Sequence, residues 1–135
     1  MNLTDLKNEI LNDPEGLGYA GKTLFEKANL INALTSDTIF LGVLESYKVK
    51  NAFDIAELKN LSDSDTRTLL VLLAGGEVDM GSANTRAAFT DIFPAQSTTR
   101  ANLVAIAKRN ISRAEKLFGA DIVVSYWEIG QAEDL

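Results

Sequence analysis

The stretch Asn12-Asp13-Pro14-Glu15-Gly16-Leu17-Gly18-Tyr19-Ala20-Gly21-Lys22-Thr23 decides how the chain is read. Residues Gly16 to Thr23 match the phosphate-binding pattern G-x-x-x-x-G-K-[ST] and also contain G-x-G-x-x-G. In the right setting, backbone N–H groups of such a loop cradle phosphates. The lysine then reaches the β and γ oxygens, and the threonine binds magnesium. That setting is a buried parallel strand running into the loop. Here the preceding residues, Lys7 to Glu15, are polar and helix-like and include Pro14. No later segment reads as an apolar strand ending in a metal-holding aspartate, and the alternation of strand and helix that builds a parallel sheet is missing. A second reading accounts for each residue. Thr23-Leu24-Phe25-Glu26 is a capping box, so Thr23 opens a helix. Gly16, Gly18 and Gly21 supply backbone conformations that other residues resist, and Tyr19 anchors the loop on the core. The stretch is therefore expected to be a structural corner, and no cofactor or metal is expected.

Outward from this corner, period and punctuation predict helices. Thr4 can cap a first helix to about Leu11, with Leu3, Leu6 and Ile10 on one face and Pro14 as the stop. A second helix covers Leu24 to about Asn32. Ser36 can cap a third over Asp37–Lys48, with a strand as the alternative because of its β-branched content. A helical turn near Asp54–Lys59 follows. Ser62 caps Asp63–Ala74, ended by Gly75-Gly76, and Asn84–Phe93 stops at Pro94. The longest predicted helix runs from Thr98 to Phe118, with Gly119 at its C-terminal cap. Ile122–Val124 reads as a short extended piece, and Ser125-Tyr126-Trp127-Glu128 as a capping box that opens a last helix. The expected fold class is all-α, one helical domain over residues 1–135.

A chain of 135 residues can bury roughly 68% of the surface that its unfolded form exposes, enough for a core without staples. Cysteine and histidine are both absent. Disulfides, thiolate catalysis, Cys/His zinc sites and Ser-His or Cys-His nucleophile pairs are thereby excluded. The net charge is −6, from 13 basic and 19 acidic residues. Up to Asp65 the chain carries 6 basic and 11 acidic residues, and 7 and 8 after it. Bulk negative charge disfavours DNA and anionic membranes. Met1-Asn2-Leu3-Thr4-Asp5 has neither a basic start nor an apolar stretch, and the longest apolar run, Leu69–Ala74, spans six residues. No targeting or membrane segment is expected.

Four other features carry a functional alternative beside a structural one. Asp63-Ser64-Asp65 lacks the glycine and glutamate of a calcium loop and fits a capped helix start. Arg109, Arg113 and Lys116, with Lys108 beside them, fall on one side of the predicted Thr98–Phe118 helix, opposite Leu103, Ala107, Ile111, Ala114 and Phe118. This stripe is either a solvated face or a dock for an acidic partner. Without interleaved aromatics it is poorly suited to stacking nucleic-acid bases. Trp127, with Tyr126 and Ile129, is either an exposed contact or the packing of a final helix. Val123-Val124 could equally pair with a strand edge of another chain.

The loop residues Asp13-Pro14-Glu15-Gly16-Leu17-Gly18-Tyr19-Ala20-Gly21 resemble the "DP-x-G-x-GYAG" opening of a widespread group of small tailed-bacteriophage proteins. Thr99-Arg100-Ala101-Asn102-Leu103 and Ser112-Arg113-Ala114-Glu115-Lys116-Leu117-Phe118-Gly119 are similar to that group's C-terminal helix, as is the ending Val123-Val124-Ser125 with Glu128-Ile129. The likeness covers most of the chain and is weakest over about Thr35–Asn60. It implies phage origin and, because the group's loop does not require Lys22-Thr23, a structural role for the glycines. With no catalytic chemistry in the residues, the expectation is a non-enzymatic structural or interaction protein of the phage particle. It would be a head–tail connector, a tail accessory or a capsid-associated protein. The expected location is the virion, and the expected partners are other virion proteins and further copies of itself. The alternative is a phage-encoded regulator that binds a host protein or nucleic-acid enzyme. A third reading, a nucleotide hydrolase, would require triphosphate binding that Lys22→Ala abolishes.

Overall fold

Leu34 to Glu45, rich in β-branched residues and interrupted by Gly42, forms strands where a helix was the first expectation. The computed structural model describes residues 1–135. Strand β1 is Leu34–Phe40 and β2 is Val43–Glu45. The second departure lies in the predicted Thr98–Phe118 helix. It stops as α7 at Ala107, runs extended as β4 over Lys108–Ser112, and resumes as α8 over Arg113–Phe118. Lys108 takes extended backbone angles. Ser112 then accepts from the Glu115 N–H while the Glu115 carboxylate accepts from the Ser112 N–H. A capping box thus starts a new helix in the middle of an apolar period that looked continuous.

The remaining elements are α1 (Leu3–Asn12), α2 (Leu24–Asn32), α3 (Ser46–Asn51), α4 (Ile55–Lys59), α5 (Asp63–Leu73), β3 (Glu77–Asp79), α6 (Ala83–Ile92) and α9 (Tyr126–Glu133). The all-α expectation is corrected: the chain is mixed, with 56% helix and two small antiparallel sheets. β1 pairs with β4. β2 pairs with β3 in the register Val43–Asp79, Leu44–Val78 and Glu45–Glu77. Ile122–Val124, expected extended, has no sheet partner.

The contacts resolve into two compact units. Unit 1 joins Met1–Thr38 to Asn110–Leu135, and unit 2 is Ile39–Arg109. Unit 1 has its own core of Leu6, Ile10, Tyr19, Ile31, Val124 and Ile129, where α1 and α2 pack on α9. The Asn32 amide fastens the chain ahead of α9, donating to the Val124 carbonyl at 2.7 Å and accepting its N–H at 2.9 Å. Unit 2 is built on Val49, Leu69, Val78, Met80, Phe89 and Phe93. There α4 anchors α7. The Glu57 carboxylate accepts the Thr98 and Thr99 N–H groups at 2.9 and 2.7 Å, and Thr99, fully buried, takes the Asp54 N–H on its hydroxyl. Those bonds, from Thr99 first, hold the Glu57 carboxyl below the usual carboxylate range, as expected for an anion at a helix N-terminus. Unit 1 carries five basic and eleven acidic residues and unit 2 eight of each, so unit 1 holds all of the net charge.

Candidate functional site

The glycine-rich corner follows helix α1, not a strand. Asp13 closes it. With φ +41 at the C-terminus of α1, its carboxylate accepts the Leu17 N–H at 2.7 Å and the Gly18 N–H at 2.8 Å. These are N–H groups that a phosphate loop would turn toward a ligand; here an internal carboxylate occupies them. Gly16, Gly18 and Gly21 have φ values of +67, +87 and +73, a region costly for side chains with a Cβ. Thr23 caps α2 and completes its box with Glu26. Tyr19 is 1% exposed and donates its hydroxyl to Glu9 at 3.4 Å. Asp63 and Asp65 lie in the first turn of α5, where Ser62 caps the Asp65 N–H.

Burial, then the Glu9 charge, raise the Tyr19 phenol above its ordinary value. A phenol near pKa 10 in the unfolded chain and higher in the folded one contributes stability that is complete below pH about 10. That stability is lost as pH climbs through the folded value. Relative to Tyr19→Phe, the native chain should therefore lose up to about 1.4 kcal/mol per pH unit above pH about 10, while the difference stays flat near neutrality. Urea midpoints of both proteins across that range measure it; parallel pH profiles would contradict it.

The four residues singled out as partner contacts fall on three different elements, β4, α8 and α9. Arg113 is at the first position of α8 and is largely buried, with its side chain 11% exposed. Its Nε and Nη2 donate to the two oxygens of Glu9 at 2.9 and 2.7 Å, and Nη1 reaches Glu15 at 3.3 Å. Glu9 is 4% exposed. The bond to Glu9 is the main cause that raises the Arg113 pKa above its usual value. Arg113 thus holds α8 to α1 and the loop. Lys116 pairs with Asp37 at 2.8 Å, which raises its pKa. Arg109 lies on β4. Trp127, in contrast, stands in the first turn of α9 with 68% of its surface exposed, its ring 5.1 Å from that of Tyr126. Phe25 on α2 is 65% exposed. Both start well-capped helices (Ser125 with Glu128, Thr23 with Glu26), so the rings ride on fixed backbone.

A second feature, in unit 2, has no counterpart in the sequence reading. A cleft of about 280 Å³ opens between α6, α7 and the ends of β1 and β4. Its floor is apolar, with Met80, Phe89 and Leu103. Its rim carries Arg86, Arg100 and Lys108, and no lining residue is a carboxylate. The Arg86 guanidinium lies 3.9 Å from the centre of the Phe40 ring, and Lys108 Nζ lies 4.9 Å from it. Backbone carbonyls position the two arginines. Arg86 Nη1 donates to Met80 and Gly81 at 3.0 and 2.9 Å; Arg100 donates to the Phe93 carbonyl and the Thr90 hydroxyl. None of the three cations forms an ion pair. No helix is long and apolar enough to cross a membrane. The chain matches no family profile, no curated protein and no solved structure.

Proposed function

We propose that the chain is a non-enzymatic interaction protein of a tailed-bacteriophage particle, seated in its head–tail connection, tail or capsid against other virion proteins or further copies of itself. The observation that carries this reading is the presentation of Trp127 and Phe25 on rigid, capped helix starts. Large aromatic side chains held outward lose little entropy on docking and are the residue types that dominate interface energies. The resemblance of the loop and of the C-terminal segments to small phage proteins supplies the setting. The reading predicts the chain among the proteins of purified particles by mass spectrometry. Trp127→Ser should fold with near-native stability, as exposed substitutions do, yet enter particles about thirtyfold less, because truncating a central aromatic anchor costs ~2 kcal/mol or more. Particles that lack the native chain, or that take up the variant equally, would overturn it.

The concentration of negative charge in unit 1 favours a second reading, a regulator that binds a basic host enzyme through that surface. It predicts the chain free in the infected cell and missing from particles, so the same mass spectrometry separates the two.

A further inference from the structure

We infer that the cleft of unit 2 binds an acidic, apolar peptide segment of a partner protein, a site distinct from the aromatic helix starts of unit 1. Three cations converge on one rim with no counter-ion, although acidic residues outnumber basic ones in the chain. Like charges gathered this way repel, and each keeps N–H donors beyond those satisfied by backbone carbonyls and Thr90. A carboxylate seated among Arg86, Arg100 and Lys108 would relieve the repulsion with charge-assisted hydrogen bonds. The apolar floor beneath gives the same segment a place for a leucine or phenylalanine, and the cavity volume suits a side chain or two, not a large cofactor.

Nucleic acid fits the cleft poorly. Stacking a base needs a free aromatic face. Phe40 is the exposed ring here, and Arg86 already covers it at 3.9 Å while Lys108 lies close by. Phe89 is buried. An acidic peptide avoids this objection because it asks nothing of the ring's face.

The site is tested on the isolated chain, so its failure is separate from failure of the particle reading. The probe is a short fluorescein-labelled peptide alternating Asp or Glu with Leu or Phe. The same peptide with Asn and Gln, inorganic phosphate and oligothymidylate are the comparisons. Fluorescence anisotropy should show saturable binding of the acidic peptide, weakened by salt, and none of the neutral one. The Lys108 side chain makes no ion pair and approaches only the Phe40 ring. Lys108→Glu should therefore keep the native circular dichroism and weaken binding about tenfold or more, the equivalent of ~1.4 kcal/mol, and Lys108→Arg should retain it within about twofold. Should Lys108→Glu fail to fold, Val104→Asp, at an exposed position of the same cleft, is expected to give the same loss. Equal binding of the neutral peptide, unchanged binding in the folded acidic variants, or no binding of the acidic peptide would each overturn the proposal. Binding of phosphate or oligothymidylate in its place would reassign the cleft and overturn it equally.

Discussion

Replacing Arg113 with methionine is expected to cost about 3–5 kcal/mol, because it leaves Glu9 buried with no cation beside it. The geometry sets this size. Both Glu9 oxygens are held by one guanidinium fork, and Glu15 reaches the third nitrogen. Only Tyr19 would remain within reach of Glu9, at the long distance of 3.4 Å. Arg113 also stands in the first turn of α8, where a helix dipole disfavours a positive charge. The pair with Glu9 is what makes that position tolerable. For a chain of this length the loss corresponds to roughly 10–20 °C in melting temperature. The double variant Glu9→Leu with Arg113→Met should recover most of it, since a well-packed apolar pair can replace a buried ion pair at little net cost. Differential scanning calorimetry of the single and double variants checks both statements. A single variant that melts within about 2 °C of the native chain would show the pair to be solvated and the corner to rest on its apolar packing alone.

The local signals were legible where one short motif settles the backbone. Thr23 with Glu26 and Ser125 with Glu128 read as capping boxes and form them. Pro94 follows α6 closely, and Gly16, Gly18 and Gly21 hold positive φ. The long C-terminal helix misled because its apolar period from Leu103 through Ala107, Ile111 and Ala114 to Phe118 is real: most of those positions are buried. A helical period and a helix–strand–helix passage can bury the same residues. The distinguishing mark was Ser112 three residues before Glu115, the same box read correctly at Thr23 and Ser125, but lying inside a period that seemed already explained. Over Leu34–Glu45 the β-branched residues left strand open as the alternative, and Gly42, a poor helix former, leans the same way. The expected all-α class failed at these two places and at Glu77–Asp79, the strand that follows Gly75-Gly76. β1 and β4 pair across about seventy intervening residues, a separation that no local propensity reports.

The candidate surfaces divide in the same manner. Trp127 was visible as an aromatic at a helix start, and only burial could decide between core and surface. Arg113 was visible as a cation but not as a buried one, because its partner Glu9 lies 104 residues away in the chain. The cleft was invisible. Phe40, Arg86, Arg100 and Lys108 follow no spacing, and each has an ordinary surface explanation in sequence. In the sequence Lys108 reads only as a neighbour of Arg109, Arg113 and Lys116. The strand that breaks the helix places Lys108 among the residues that line the cleft.

Truncating Phe93 should be the costliest apolar change in unit 2, at about 3–5 kcal/mol for Phe93→Ala. The ring is 1% exposed and stacks on Phe53 at 5.6 Å and 26°, and Phe53 in turn meets Phe89 at 6.4 Å. Such pairs add about 0.5–1.5 kcal/mol beyond the burial itself. Its backbone is equally fixed. Pro94 pushes the preceding residue into extended conformation, and Phe93 there has φ −112 and ψ 118 while its N–H still donates to Phe89. The same residue's carbonyl accepts from Arg100, so its position bears on the rim of the cleft as well as on the core. Phe93→Leu fills most of the space and should lose less than half as much. Urea midpoints at unchanged slope measure the stability, and amide exchange should show protection lost over α5, α6 and α7. If the leucine variant, though folded, binds the acidic peptide as the native chain does while the alanine variant does not, the packing under Arg100 is what orients that guanidinium. A Phe93→Ala chain that stays within about 1 kcal/mol of native would mean the aromatic cluster collapses around the void, and that the core of unit 2 rests on its aliphatic members.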